Sequence, residues 1–464
     1  MEKTMARAGV REWIGLAVLA VPTLLLAMDA TVLYLAVPHL SADLRPSDAE
    51  LLWIVDSYGF LVAGFLVTMG TLGDRIGRRK LLIIGASAFA AASVLAAFAP
   101  SPLFLIIARG LLGVAGATLG PSTLALISTM FPPNQRALAI SLWATCFSAG
   151  IALGPIVGGV LLEWFWWGSV FLLAVPFMAV LVLTAPFLLP EYRDPSAGKL
   201  DLTSVFLSLA AVLPVIYGIK QHGGVVGGVS IAVGLIAGWL FVSRQRRLAD
   251  PLLDLRMFGS RSFSVALMAL VFTMTAIGGV YLFVTQYFQL VHHFTPLVAG
   301  LWLMPSAVVL VLSSLVTPRL AARFAPAHVV GVALALAALG FAALAFAGGL
   351  LGVVAGFSLV YLGVGPLMAL GTDLVIGAAP QEKAGSAAAM SETAMEFGIA
   401  LGVGVLGVVG ASVATDGEPL LEATAANFTA GLNVVSAIAA VMTGVLAILV
   451  LRLLRQRGGS QDAA

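Results

Sequence analysis

The stretch ELLWIVDSYGFLVAGFLVTMGTLGDRIGRRKLLIIGASAFAAASVLAAFA, Glu50–Ala99, decides the fold. Two apolar runs flank a short loop that carries Arg75, Arg78, Arg79 and Lys80. About 20 apolar residues in a helix cross roughly 30 Å of hydrocarbon. Lys and Arg collect in loops on the cytoplasmic side. The stretch therefore reads as a pair of membrane-spanning helices joined at the cytoplasmic surface.

The same alternation runs outward through all 464 residues. The chain is 60% apolar and 10% charged, with a mean hydropathy of +1.06, which excludes a soluble domain. Its 50 glycines fit helices that pack closely in lipid. Breaks at Pro, Gly and charge clusters place spans near 13–38, 50–73, 80–99, 101–123, 135–162, 168–189, 200–219, 223–243, 260–291, 296–318, 327–347, 350–377, 383–413 and 429–451. Fourteen crossings put both termini on one side. Of the 24 Lys and Arg residues, Arg45 and Lys220 fall on the opposite side, Arg109 falls inside a span, and all the others lie with the termini. Both termini are thus expected to be cytoplasmic in a multi-pass protein of the cell (inner) membrane. The first run carries Asp29 and has no small-residue cleavage site, so it reads as a span and not as a signal peptide. The single cysteine, Cys146, cannot form an internal disulfide.

No GxxxxGK[ST] phosphate loop, metal-ligand spacing or soluble catalytic region is present. The chain is therefore expected not to be an enzyme, to need no cofactor or metal, and to bind no nucleic acid. His39, His222, His292 and His293 fall at span ends and read as interface residues.

An internal repeat is visible. Gly150-Ile151-Ala152-Leu153-Gly154 recurs as Gly398-Ile399-Ala400-Leu401-Gly402, an offset of 248. The same offset lays Leu72, Arg75 and Leu81 over Leu320, Arg323 and Val329. The implied all-α plan is a six-helix bundle over 1–190, two inserted helices and a loop over 191–258, and a second six-helix bundle over 259–464. A monomer suffices for such a plan.

Ionisable groups inside spans are expensive and point to function. At 1.5 Å per residue, Asp29 lies about 13 Å, Asp56 about 9 Å and Arg109 about 12 Å from the outer end of its span. Arg109 is therefore expected to neutralise Asp29 or Asp56; a purely structural ion pair is the alternative. Glu392 and Glu396, four residues apart on one helix face pointing away from Gly398 and Gly402, suit a proton carrier. Their alternative is a pair of protonated glutamates bonded to Ser391 or Thr393. The offset of 248 maps Asp29, Asp56 and Arg109 onto Ile277, Met304 and Phe357, so the two halves contribute different chemistry. Asp373, near a cytoplasmic helix end, reads as hydrated. Trp53, Tyr58, Phe147, Tyr281, Phe283, Tyr287, Trp302 and Met304 are expected, with Asp56, to line a cavity for lipophilic cations. Ordinary helix packing is the alternative for this set. Asp74 among Arg75, Arg78 and Arg79 forms a cluster able to latch two helix bundles in one state.

Several motifs resemble a known family. Gly70-Thr71-Leu72-Gly73-Asp74-Arg75-Ile76-Gly77-Arg78-Arg79-Lys80 resembles the signature loop of the major facilitator superfamily. Arg109 with Gly113 is similar to its fourth-helix motif, and Gly150, Gly154, Pro155, Gly158 and Gly159 are similar to the fifth-helix motif of its antiporters. Met28-Asp29-Ala30-Thr31 with Ala36-Val37-Pro38 resembles the first-helix motif of the fourteen-helix drug:proton antiporters, which include exporters of quaternary ammonium compounds. The resemblance implies proton-driven multidrug efflux by alternating access, with antibiotic resistance as its outcome. With the placement of the charges, proton coupling is expected at Asp29, Arg109, Glu392 and Glu396, with small lipophilic cations, protons and the bilayer as partners. One departure is that the span from Pro296 to Pro318 lacks the carboxylate associated with some exporters of divalent cations. Export of one endogenous metabolite or antibiotic, or import of a nutrient, are the alternative functions.

Overall fold

The computed structural model describes residues 8–193, 201–220, 224–248, 251, 255–378, 384–415 and 424–453. Parts of the predicted 191–258 unit and both chain ends lie outside them. Among the described residues there are helices and no strand. We number the helices α1 (Val10–Leu44), α2 (Asp48–Ile76), α3 (Arg78–Ala97), α4 (Pro102–Met130), α5 (Pro133–Trp164) and α6 (Ser169–Leu188). Then come α7 (Leu202–Lys220), α8 (Gly224–Gln245), α9 (Arg261–Val291), α10 (Pro296–Ala321), α11 (Pro326–Ala345), α12 (Leu350–Gly377), α13 (384–415) and α14 (Ala425–Leu453). Thirteen are long and apolar enough to cross a membrane; α7 is apolar over the shorter stretch Leu202–Val215.

Sequence sets the helix starts. Ser47 caps α2 by accepting from the Glu50 backbone, and the Glu50 carboxylate returns the bond to the Ser47 N–H at 2.9 Å. Ser101 followed by Pro102, and Thr295 followed by Pro296, start α4 and α10 in the same sense.

The helix pairing repeats. In the first half α1 packs on α5, α2 on α4, and α3 on α4 and α6; in the second, α9 packs on α13, α10 on α12, and α11 on α12 and α14. The halves meet along two seams that exchange under the repeat, α2 with α13 and α5 with α10. The two inserted helices pack on each other, and α7 lies against α2 and the middle of α13. Arg244 of α8 donates twice, at 2.9 Å each, to Asp201, the residue before α7. Those bonds, with two more from the Ser204 hydroxyl and backbone N–H, hold the Asp201 carboxyl down at about 2.

The α5–α10 seam depends on missing side chains. A Cβ at Gly300 would strike the Pro155 carbonyl, and one at Gly159 would come within 2.6 Å of the Leu297 Cα. Both contacts lie toward the side opposite the chain ends, called the far side below. Gly300→Val is expected to cost this conformation about 1–3 kcal/mol by overpacking while sparing the packing inside each half. Labels at Glu163 and Val298 should then report a longer distance between the far ends of α5 and α10. An unchanged distance would mean that the seam repacks without opening.

Candidate functional site

Arg109 is the centre of the site. Small residues bring α4 against α2: a Cβ on Gly113 would lie 2.5 Å from the Tyr58 carbonyl, and one on Gly110 3.0 Å from Leu61. From there the guanidinium, 2% exposed, reaches three acceptors. Its Nη1 donates to Asp29 Oδ2 at 2.7 Å, its Nε to the Ile54 carbonyl at 3.2 Å and its Nη2 to the Val55 carbonyl at 3.4 Å. The cation also lies 4.7 Å from the Tyr58 ring centroid and 5.9 Å from that of Phe171. Of the two carboxylates open from sequence, the structure pairs Arg109 with Asp29. Asp56, buried on α2, lies instead within electrostatic reach of Tyr34.

The second half brings its glutamates to this centre. On α13, Gly398 and Gly402 press against Val271 and Thr275 of α9, so the opposite face turns toward the first half. There Glu392 Oε2 lies 3.3 Å from where a Cβ on Gly120 of α4 would sit, and the Ala400 methyl lies 3.3 Å from the same point on Gly59 of α2. Glu396 is within electrostatic reach of both Tyr58 and Tyr34. Glu396 thus acts on the same Tyr58 ring that lies against Arg109, while Glu392 meets α4 at Gly120, eleven residues along that helix from Arg109.

An aromatic cluster covers the centre on its far side. Tyr34 of α1 meets Tyr281 of α9 edge-on at 5.0 Å, and Tyr281 lies 6.0 Å from Phe357, itself 4.6 Å from Tyr361. Tyr34, Phe357 and Tyr361 were not singled out from sequence, although Phe357 occupies Arg109's place in the repeat.

Other expected cavity residues go elsewhere. Trp53 packs with Phe60 and Ala400 beside Val212 and Leu213 of α7. Tyr287 faces His292 at 5.1 Å, and Trp302 stacks on Phe294 at 6.3 Å, both at the far ends of α9 and α10. Tyr287 is buried and Trp302 half-buried there, with these rings as their aromatic neighbours. Phe147 and Met304 are half-buried. Phe283 packs on Phe428 within the second half.

The motif residues take structural places. Along α5, Gly150, Gly154 and Gly158 receive Leu24, Thr31 and Val32 of α1, whereas Pro155 and Gly159 face α10. In the loop after α2, Gly77 has a positive φ of 113° and starts α3. Arg78 Nε donates to Asp74 Oδ1 at 2.7 Å; the Arg79 N–H donates to Glu191 Oε1 at 3.1 Å and its Nη1 to the Leu189 carbonyl at 3.0 Å. Arg75 is exposed, Gly73 lies against Arg78, and Gly70 faces Pro121. A latch between the two bundles was expected here. The bonds from Arg79 tie the loop to the end of α6, with Glu191, a residue sequence reasoning passed over, as the added partner. Among the described residues no group of His, Cys, Asp and Glu could hold a metal ion.

Two helical halves related by a repeat, meeting at charged groups inside the bilayer, define a membrane transporter and not an enzyme. The chain belongs to the major facilitator superfamily: the Major Facilitator Superfamily sequence model matches residues 19–403. It is 45% identical over 411 residues to the multidrug efflux pump LfrA of Mycolicibacterium smegmatis, covering 87% of this chain and 82% of that one. It is 35% identical to the methyl viologen resistance protein SmvA of Salmonella typhimurium, over 86% and 82% of the two chains. It is 33% identical to the tetracenomycin C resistance and export protein of Streptomyces glaucescens, over 88% and 78%. A solved bacterial homologue of the human lysosomal transporter Spinster, in an inward-facing and unoccupied conformation, shares the fold at a TM-score of 0.69 and 17% identity, over 98% of this chain and 99% of that one.

Proposed function

We propose that this protein exports lipophilic cations, among them quaternary ammonium compounds and dyes, in exchange for protons by alternating access. The observation that carries the reading is that Glu396 on α13 acts on Tyr58, whose ring lies against Arg109 of the Asp29–Arg109 pair, with Glu392 one turn away on the same helix face. A proton taken up by a glutamate there changes the charge between the two halves, and a substrate cation competes for the same carboxylates. Asp56 and the Tyr34–Tyr281–Phe357–Tyr361 cluster supply charge attraction and aromatic contact without fixed hydrogen-bond geometry. The relatives named for multidrug efflux and for methyl viologen resistance favour this reading. The relative named for tetracenomycin C export favours a second one, export of a single endogenous product. The protein acts as a monomer in the cell membrane with both termini cytoplasmic, a placement supported by the basic loops on that side.

Cells producing the protein should accumulate less ethidium than cells producing Glu396→Gln, and the difference should vanish when the proton gradient is collapsed. A panel of quaternary ammonium compounds should follow the dye. Equal accumulation for every compound would leave the single-product reading in its place.

A further inference from the structure

We propose that Gln286 is the far-side gate residue of this transporter, holding the two halves together through a backbone carbonyl that Pro38 leaves open. Helix α1 continues unbroken through Pro38. Proline has no N–H, so the carbonyl four residues earlier, that of Tyr34, loses its helical donor. Gln286 of α9, in the other half and 1% exposed, supplies the replacement: its Nε2 donates to the Tyr34 carbonyl at 2.7 Å. Just toward the membrane centre, the Tyr34 ring meets Tyr281, which lies on the same helix as Gln286. Just toward the far side is a small apolar pocket of about 20 Å³, lined by Val37, Leu52, Val55, Leu282, Gln286 and Asp48. The bond therefore sits between the aromatic cluster and this outer pocket.

The chemistry suits a contact that must break in every cycle. Gln286 Oε1 is buried without a protein hydrogen-bond partner, so closure satisfies one end of the amide through the protein and not the other. Opening would hydrate both the amide and the Tyr34 carbonyl, which makes the net gain on closure small and the contact reversible. A bond between two neutral groups also closes the gate without adding charge beside Asp56 or Arg109. Pro38 thus has a specific role: without it, the α1 helix itself would satisfy the Tyr34 carbonyl.

The test uses the full chain in nanodiscs, with Cys146→Ser and Leu52→Cys, and reads the rate of labelling by a charged thiol reagent. Gln286→Met keeps the side-chain length but cannot donate, and Gln286→Asn keeps the amide but falls one carbon short. Either is expected to raise the rate about fivefold, the factor that one net neutral hydrogen bond supports. In a Pro38→Ala background the same changes should raise it less than twofold, since the Tyr34 carbonyl then has its helical donor. Two results would overturn the proposal: parental rates in both Gln286 variants, or an equal increase in the two backgrounds. A merely structural contact would give the equal increase.

Discussion

Asp29→Asn is expected to lower the amount of folded protein in the membrane more than Arg109→Gln does, and the double variant should recover much of the loss. Removing one member of a buried ion pair costs about 3–5 kcal/mol, because the other charge is left in low dielectric. That is a large share of a typical total stability of about 5–15 kcal/mol. The two single changes differ in what they strand. A carboxylate left alone can take up a proton, whereas a guanidinium stays charged at any accessible pH. After Asp29→Asn the cation keeps neutral partners, the Ile54 and Val55 carbonyls, the Tyr58 and Phe171 rings and the amide oxygen of the new side chain, but no opposite charge from position 29. After Arg109→Gln, Asp29 can become neutral and the cost falls. The double variant has no charge to strand, so its thermal unfolding in detergent should lie nearer the parent than that of Asp29→Asn. A double variant as unstable as the summed single losses would mean that the residues act separately. Transport should be lost in all three, since charge at this centre is part of the proposed exchange.

Glu396→Gln is expected to cut substrate transport driven by a pH gradient at least about tenfold, equivalent to roughly 1.4 kcal/mol on the coupled step. Substrate exchange at equal pH should persist, because it needs no net proton movement. Glu396 is the glutamate within electrostatic reach of both Tyr58 and Tyr34, so its charge acts on the first half. Glu392→Gln should have a smaller effect, as Glu392 faces Gly120, farther from the Arg109 ion pair. If protons and cations compete for these carboxylates, substrate binding to the parent weakens as pH falls, and Glu396→Gln flattens that dependence. Driven transport in proteoliposomes equal to the parent's for both Gln variants would assign the glutamates to structure and move the coupling to Asp29 and Asp56.

The residues that were legible share one property: their cost in lipid is visible without knowing their neighbours. Asp29, Asp56, Arg109, Glu392 and Glu396 stand out because a charge inside an apolar run needs a reason. The glycines of α5 stand out because they recur at helical spacing. Tyr34, Phe357, Tyr361 and Gln286 were not legible in this way. An aromatic or amide residue in a span is common, and only its partner across the seam distinguishes it. Trp53, Tyr287 and Trp302 show the converse: suitable side chains whose neighbours only the fold decides. Glu191 was overlooked because it follows a helix end, where a carboxylate is inexpensive.

The sequence by itself determined the membrane class, the helices, the repeat and the cost of each charge placed inside them. These follow from local quantities: hydropathy over some 20 residues, helical spacing, and the solvation of single groups. Tertiary structure alone decided that Arg109 takes Asp29 and not Asp56, that the signature loop turns to Glu191, and that Pro38 exposes a carbonyl to Gln286. Depth left both carboxylates within reach of the guanidinium. The azimuth of each helix, set by which glycine lets which backbone approach, made the choice. Such azimuths depend on close packing between segments up to hundreds of residues apart, and no local pattern records them.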